Sequence, residues 1–227
     1  APFVKLFREE RELAVMLRVD CSASLDFGTQ SQTKRELVTE LGATLAMSAI
    51  KNNDRVGLTL FSEDIEKSFP PRQGSRHVLR LIREMLTHPC RGSGTDVGAA
   101  LEHLQRTAKR RTVVFLISDF QSKDYEKSLR VASRKHDLIP VVVTDAREME
   151  MPAVGLVPLR DNETGDLSWI DTSSRKHREW YAQMVQQREE QRDALFRRYR
   201  MEPLHLRTGE DLGEPLRRYF HQRENRR

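Results

Sequence analysis

The sequence contains few of the residues that build disulfide frameworks, zinc sites and membrane spans. Only two of its 227 residues are cysteine, and the seven histidines form no His-x-x-x-His pair, which argues against a disulfide framework and against a zinc site. No apolar run approaches the roughly 20 residues that cross a bilayer, and the mean hydropathy is −0.66. These absences predict a chain without a membrane span, and the sparse cysteine suits a reducing, cytoplasmic compartment.

Motifs of common hydrolases and nucleotide-binding enzymes are also missing. The sequence has no Walker lysine loop, no Gly-x-Ser-x-Gly elbow and no evident Ser-His-Asp order. It begins at Ala1 with neither an initiator Met nor a signal-like apolar segment, which fits a mature product, a processed chain or a fragment alike. The sequence therefore offers no direct sign of catalysis.

The net charge of +5 comes entirely from the C-terminal part of the chain. Residues 175–227 hold 14 basic and 9 acidic side chains, whereas residues 1–174 hold 25 of each. A basic surface attracts phosphates or acidic proteins, and the same composition occurs on the solvated face of a helix. We favour a solvated face or an acidic protein partner over nucleic acid.

Alternating strand and helix patterns predict an α/β fold with a Rossmann-like, doubly wound, mostly parallel sheet. We expect one domain over residues 1–227, with an inserted β-hairpin at about 153–171 and a helix, strand and helix at about 174–223. Residues 65–69 are predicted to pair with the second strand, and Pro70-Pro71 is predicted to end that unit. The strand-like apolar runs are residues 13–19, 55–61, 112–117 and 138–143.

Oxygen-bearing side chains recur where predicted strands end or helices begin. Asp20-Cys21-Ser22-Ala23-Ser24 follows the first strand, Thr95 lies in the glycine-flanked stretch Gly92-Ser93-Gly94-Thr95-Asp96, and Asp119 follows the third strand. In an open α/β sheet, ligands bind outside the carboxyl ends of the strands. Carboxylates and hydroxyls without a soft ligand are the chemistry of Mg²⁺ or Mn²⁺.

This pattern resembles the metal-ion-dependent adhesion site of von Willebrand factor A domains. A closer resemblance is to the bacterial proteins of domain-of-unknown-function family 58, which contain such a domain and are commonly associated with MoxR-type AAA+ ATPases. The segments that carry the resemblance are Phe7-Arg8-Glu9-Glu10-Arg11-Glu12-Leu13, Asp26-Phe27-Gly28, Asp54-Arg55-Val56-Gly57-Leu58, Gly94-Thr95-Asp96 and Leu216-Arg217-Arg218-Tyr219-Phe220. Cys21 and Leu25 depart from the usual pattern, and neither removes a ligand.

The resemblance implies a role for each matching residue. Ser22 and Ser24 would coordinate Mg²⁺ (or Mn²⁺ or Ca²⁺) directly, Thr95 would join in some states, and Asp20 and Asp119 would act directly or through water. The sixth position would stay open for an Asp or Glu carboxylate of a client protein. The resemblance therefore implies a non-enzymatic interaction module, an adaptor or chaperone partner of a MoxR-type AAA+ ATPase.

Each of these segments also has a purely structural interpretation. Asp20 and Ser22 could cap a helix, the stretch at Thr95 could be an N-cap, and Asp119 could cap the following turn. We favour the ion site because all three segments converge at strand ends. Asp96 and Asp145 are weaker candidates, better explained as caps or as groups behind the ligands.

Two other functions fit parts of the sequence. A strand-end aspartate with Mg²⁺ also begins phosphoryl transfer in phosphatases, but these need a second carboxylate two residues later, and residue 22 is serine. Nucleic-acid binding through the basic C-terminal helix is the other alternative. Interleaved acidic residues favour ion pairs there, and Trp180, Met184, Leu195 and Tyr199 are predicted to form the packing face of that helix. The arginines concerned are Arg188, Arg192, Arg197, Arg198 and Arg200.

Overall fold

A computed structural model of the protein describes residues 13–29, 32–92, 94–160 and 167–225, with all side chains except those of residues 159 and 160. Residues 7–12, Ser93 and the turn-rich stretch 161–166, which entered the sequence predictions, lie outside these ranges. The strands are β1 (Ala14–Asp20), β2 (Arg55–Phe61), β3 (Ile65–Arg72), β4 (Val113–Ser118), β5 (Asp137–Thr144), β6 (Leu156–Arg160), β7 (Leu167–Asp171) and β8 (Leu204–Arg207). The helices are α1 (Lys34–Lys51), α2 (Ser75–Thr87), α3 (Val97–Thr107), α4 (Glu126–Lys135), α5 (Ala146–Met149), α6 (Arg175–Arg198) and α7 (Gly213–Glu224), and a 3₁₀ turn covers Ala23–Asp26.

Six strands form the main sheet in the order β3-β2-β1-β4-β5-β8. Every pair is parallel except β2 with β3. The chain leaves β1 for β2 on one side and later returns to β4 on the other, so the strand order reverses between β1 and β4. The predicted α/β, doubly wound, mostly parallel sheet is confirmed.

Alternation along β1 divides the core into two layers. Leu17 and Val19 point to the layer covered by α1, α2 and α7, whereas Met16 points to the layer covered by α3, α4 and α6. Because the central strands are buried on both faces, they appear in the sequence as continuous apolar runs. Arg18 is the exception within β1. It is fully buried, and its guanidinium reaches the carbonyl of Ala100 at 3.0 Å.

The edge strand β3 is longer than predicted. The sequence interpretation ended this unit at Pro70-Pro71, but β3 continues through both prolines to Arg72. Proline is tolerated on an edge strand because its nitrogen need not donate to a neighbour. The pairing with β2 shifts register between Val56 and Leu58. Gly57 lies at this shift, where a Cβ would come within 2.9 Å of the Phe69 carbonyl oxygen.

The chain after β5 leaves the main sheet before returning to it. Strands β6 and β7 form a separate two-stranded antiparallel sheet, whose base is closed by a bond from the Thr172 amide to the Gly155 carbonyl at 2.8 Å. Helix α6 follows, β8 then joins the edge beside β5, and α7 packs on the first core layer. Within the described ranges, the helices are all too short or too polar to span a membrane.

Candidate metal centre

The candidate centre lies at the carboxyl edge of the sheet, where β1 and β4 end side by side. Val19 pairs with Ile117, so Asp20 and Ser118 emerge together at the point where the strand order reverses. This is the place where open α/β sheets bind ligands. The structure thus brings Asp20 next to the strand end that carries Asp119.

Asp20 is the buried carboxylate at the closed end of the centre. Its Oδ1 accepts a bond from the Ser22 amide at 2.9 Å, and its Oδ2 accepts one from Ser118 Oγ at 2.6 Å. Burial and the charge of Asp119 raise the pKa of Asp20 to about 6, although hydrogen bonds from Ser118 and Ser22 act in the opposite direction. Ser118 was not among the predicted site residues, although it directly precedes Asp119 at the strand end.

Three hydroxyl groups complete this side of the centre. Ser22 Oγ lies 3.0 Å from Ser24 Oγ and 2.8 Å from Thr95 Oγ1. Thr95 Oγ1 also lies 3.2 Å from Asp20 Oδ2. Ser22 is fully buried, whereas Ser24 and Thr95 are partly exposed. The group is therefore closed at Asp20 and open to solvent at Ser24 and Thr95.

Asp119 follows Ser118 at the end of β4 and is hydrogen-bonded to a buried lysine. Its Oδ2 accepts a bond from Lys34 Nζ at 3.0 Å, and its Oδ1 accepts one from the Gln121 amide at 3.1 Å. Lys34 also donates to Glu148 Oε1 at 2.6 Å. The bond to Gln121 is the turn cap that the structural interpretation of Asp119 required, and the charge of Asp119 also acts to raise the pKa of Asp20.

Lys34 is a second residue, after Ser118, that the sequence interpretation missed. It is the first residue of α1, after the capping box that Thr33 and Glu36 form. A lysine is unfavourable at this end of a helix, because the helix dipole places partial positive charge there. A lysine at this unfavourable position was the sequence feature that could have indicated a buried ion pair, but it does not identify the carboxylate that the lysine contacts.

The two weaker candidates are caps. Asp96 accepts a bond from the Ala99 amide at 2.8 Å and caps α3. Asp145 caps α5 and also accepts bonds from the hydroxyls of Thr29 and Thr208, both at 2.6 Å. Their predicted role as caps is confirmed. In the contacts described above, neither carboxylate has an oxygen in the group around Ser22.

The segment that carries Thr95 is held by acidic residues of the β2–β3 turn region. Glu66 Oε1 accepts bonds from the amides of Arg91 and Gly92 at 2.9 and 3.1 Å. Burial raises the pKa of Glu66, but these bonds and one from Ser62 outweigh it and bring the pKa to about 2. Glu63 holds the Gly94 amide at 2.8 Å. The carboxylates fix the path of the chain toward Thr95.

The donor set differs from that of a carboxylate-rich or histidine-rich metal site. Across the ranges that the structure describes, no three His, Cys, Asp or Glu side chains converge in the manner of a metal site. The oxygens of this group come instead from the Asp20 carboxylate and from the hydroxyls of Ser22, Ser24 and Thr95. The charge of the Asp119 carboxylate also acts to raise the pKa of Asp20. Oxygen ligands of this kind suit a hard cation such as Mg²⁺ better than zinc or copper.

The basic helix α6 contains the ion pairs that its sequence predicts. Within α6, Arg192 pairs with Glu189 at 3.4 Å and with Asp193 at 3.1 Å. Arg198 instead pairs with Glu126 of α4 at 2.9 Å. The predicted packing face is partly wrong, because Trp180 and Met184 are exposed. The residues of α6 that are buried are Val185 and Phe196. The helix meets the core through fewer positions than its apolar residues suggested.

Comparison with known proteins identifies relatives in sequence and in fold. An uncharacterized protein of Mycobacterium bovis is 33% identical over 167 residues, which are 72% of this chain and 53% of that protein. The chain thus spans about half the length of the curated relatives it matches. Solved structures are also similar in fold at low sequence identity, among them two from Bacteroides species.

An aerotolerance-related membrane protein from Bacteroides fragilis has a TM-score of 0.60 at 16% identity, covering 95% of this chain and 100% of that one. The conserved hypothetical protein BatB from Bacteroides thetaiotaomicron has a TM-score of 0.57 at 14% identity, covering 94% and 98%. The family model described as "Protein of unknown function DUF58" matches residues 1–191. This chain is therefore a member of the DUF58 family.

Proposed function

We propose that the chain is a protein-interaction module that holds a divalent cation and uses it to bind a carboxylate of a partner protein. The observation that carries the proposal is the oxygen cluster at the switch point, in which Ser22 Oγ lies within 3.0 Å of the hydroxyls of both Ser24 and Thr95. The buried Asp20 carboxylate accepts a hydrogen bond from the Thr95 hydroxyl of this cluster. A von Willebrand factor A-like fold supports a role in protein interaction.

The proposed ligands are Asp20, Ser22, Ser24, Thr95 and Asp119, and the proposed ion is Mg²⁺, with Mn²⁺ or Ca²⁺ as alternatives. Bound there, such an ion supplies an electrophilic centre for an Asp or Glu carboxylate. Ser24 and Thr95 are the exposed members of the set, so a partner would approach from their side. The buried Asp20 would contribute charge without meeting the partner.

The proposed module is not an enzyme. The hydroxyls of Ser22 and Thr95 are hydrogen-bonded to other hydroxyls and to Asp20, and in the described part of the chain none of these bonds comes from an imidazole. A serine hydroxyl without an imidazole partner lacks the usual activating base, and the nearby Asp20 carboxylate already accepts bonds from the Ser22 amide and Ser118 Oγ. Recognition of an anion needs no such base, so it makes better use of this arrangement.

The proposed partners are a MoxR-type AAA+ ATPase and a client protein that offers an Asp or Glu carboxylate. This part rests on the resemblance in the motif segments and on family membership, because a fold alone does not fix function. The proposal concerns the segment in hand, which spans about half of its curated relatives. A role as adaptor between ATPase and client follows if both bind the same module.

The first test is direct cation binding, with Mn²⁺ as the probe. Ser24→Ala and Thr95→Val remove one proposed ligand each at partly exposed positions, so both variants should fold, and each should weaken Mn²⁺ binding by about tenfold or more, since each lost oxygen ligand must be replaced by water. Ser48→Ala, on an exposed position of α1, is the matched control and should bind as the native chain does. Free Mn²⁺ is measured by electron paramagnetic resonance.

The second test is partner capture. The native chain, immobilised in Mg²⁺, should retain a AAA+ ATPase or client from a lysate of its own cells, and chelator or Asp20→Asn should release it. Mn²⁺ binding that is unchanged in Thr95→Val and Asp20→Asn would contradict the proposed ligand set. Capture that persists in chelator, while circular dichroism shows a folded chain, would contradict the cation-dependent mechanism.

A further inference from the structure

The fold places the two cysteines of the chain side by side at the edge of the candidate centre. Cys21 lies between Asp20 and Ser22, and Cys90 lies on the segment that leads from α2 to Thr95. Both are free thiols, and Cys90 is near enough to Cys21 to raise the pKa of its thiol, in addition to the larger effect of burial. Two distant parts of the sequence, each carrying proposed ligands, therefore lie next to each other at the two cysteines.

The thiols lie on the opposite side of the sheet edge from the proposed ligands. Cys21 follows the alternation of β1, packs in the same core layer as Val19, and donates its amide to the Phe61 carbonyl at 2.8 Å. Asp20 and Ser22 point the other way, toward Thr95. A covalent bond between the sulfurs would consume none of the oxygens of the centre.

An arginine connects the two cysteine segments. Arg35 Nη1 donates to Cys90 Sγ at 2.8 Å, and Arg35 Nη2 donates to the Cys21 carbonyl at 3.3 Å. Its Nε also pairs with Asp26. Arg35 thus places a positive charge beside Cys90, as is common around reactive cysteines. Burial, and then Glu66 and Asp20, raise the pKa of the Cys21 thiol, so Cys21 is the less reactive of the two. Cys90 is partly exposed and Cys21 is buried, so an oxidant reaches Cys90 first.

We propose that Cys21 and Cys90 form a reversible disulfide in the presence of a peroxide, and that this bond raises the cation affinity of the adjacent centre. The first half of the proposal stands on the cysteine pair and Arg35 alone. The second half rests on the proposed function. A disulfide in a reducing compartment is typically transient and redox-sensing, which suits a bond that controls a binding site.

The chemistry balances with hydrogen peroxide as the oxidant. The Cys90 sulfur attacks one peroxide oxygen, the O–O bond breaks, and the first water leaves, so that Cys90 becomes a sulfenic acid. The Cys21 sulfur then attacks the Cys90 sulfur, the S–O bond breaks, and the second water leaves with the thiol proton. The two thiols lose two electrons and two protons, and the peroxide is reduced to two waters. A dithiol reductant reverses the bond.

The expected effect on the centre follows from loop ordering. Thr95 approaches Ser22 from a segment held by hydrogen bonds to Glu66 and Glu63. A disulfide ties that segment covalently to the residue beside Ser22. Binding then costs less conformational entropy, because the two ligand-bearing loops are already held together. We expect Mn²⁺ affinity to rise by about threefold or more.

The test treats the full chain with hydrogen peroxide and counts free thiols. The native chain should lose both thiols, regain them with dithiothreitol, and show a Cys21–Cys90 cross-link by peptide mass spectrometry. Cys21→Ala should stop at a Cys90 sulfenic acid, trapped as its dimedone adduct. Cys90→Ser should keep its remaining thiol under the same peroxide dose. Circular dichroism checks that each variant is folded.

Mn²⁺ titration of reduced and oxidised chain then tests control of the centre, with Cys90→Ser as a control that peroxide should leave unchanged. Two free thiols after peroxide treatment would overturn the disulfide. A disulfide with equal Mn²⁺ affinity in both states would overturn the control of the centre. A disulfide in a chain that never binds Mn²⁺ would contradict the proposed function and leave the modification site standing.

Discussion

Lys34 shows how a single side chain can set the charge of the candidate centre. It is fully buried, and it bonds to both Asp119 and Glu148. Burial acts to lower the pKa of Lys34, but the two carboxylates outweigh it and raise the pKa above its ordinary value. The ammonium therefore stays charged and occupies one oxygen of Asp119, a proposed cation ligand.

Lys34→Met should have opposite effects on stability and on cation binding. Two carboxylates lose their buried cation, so the free energy of unfolding should fall by about 3 kcal/mol. Mn²⁺ should bind more tightly, because Asp119 is released and the local charge becomes more negative. Urea denaturation and Mn²⁺ titration measure the two effects. Lys51→Met, at the exposed end of the same helix, is the control, and weaker Mn²⁺ binding in Lys34→Met would contradict this account.

Asp145 makes an acid-sensitive contribution to stability. It joins Thr29, Arg147 and Thr208 through hydrogen bonds to its carboxylate. Burial raises its pKa, but these bonds outweigh it and bring the pKa of Asp145 to about 2. Because an unfolded aspartate titrates near 3.9, the contribution is complete above about pH 4 and is lost as the pH falls toward 2.

Asp145→Asn should lower the free energy of unfolding by on the order of 2 kcal/mol at pH 7. The difference from the native chain should shrink between pH 4 and pH 2, where the native carboxylate becomes protonated. Denaturation at a series of pH values measures the difference. Asp64→Asn, in an exposed turn, should follow the native chain throughout. A difference that stays constant down to pH 2 would show that Asp145 stabilises the fold by another route.

The β6–β7 hairpin is the element that depends least on the core. Leu156, Leu167 and Trp169 are exposed on it. Its base is closed at Thr172, whose hydroxyl donates to the Gly155 carbonyl at 2.7 Å. The bonds between Thr172 and Gly155 therefore hold the two ends of the hairpin together.

Replacing residues 156–171 by a short Gly-Ser link should leave the main fold in place. Since the exposed Leu156, Leu167 and Trp169 bury little apolar surface, the unfolding free energy should change by less than about 1 kcal/mol. Urea denaturation followed by circular dichroism measures this. A link of the same composition inserted into the intact hairpin tip controls for added loop flexibility. Loss of cooperative unfolding would mean that the hairpin is required for folding.

The whole molecule shows which features a sequence can predict. Buried parallel strands leave continuous apolar runs, so the doubly wound sheet could be predicted from the repeated alternation of such runs, at β1, β2, β4 and β5, with helices. The positions of Asp20 and Asp119 followed from the rule that strand ends converge. Both arguments use properties that repeat along the chain and need no knowledge of long-range contacts.

Features that depend on one long-range contact could not be predicted in this way. The partners of Lys34 come from two distant segments, and no local pattern specifies them. Pro70 and Pro71 predict a strand end because proline cannot donate a backbone hydrogen bond to a neighbouring strand. They fit within β3 only because β3 lies at the sheet edge. Trp180 and Met184 have the helical spacing of a packing face, yet the core reaches α6 elsewhere.

The exposed tryptophans have a consequence for spectroscopy. Trp169 and Trp180 are the two tryptophans of the chain, and 68% and 53% of their surfaces are exposed. Indole emission shifts to the red in polar surroundings, so the native chain should already emit nearly as the unfolded chain does. Fluorescence will therefore report poorly on unfolding. A blue shift on mixing with another molecule will instead mark coverage of the hairpin or of α6, without any added label.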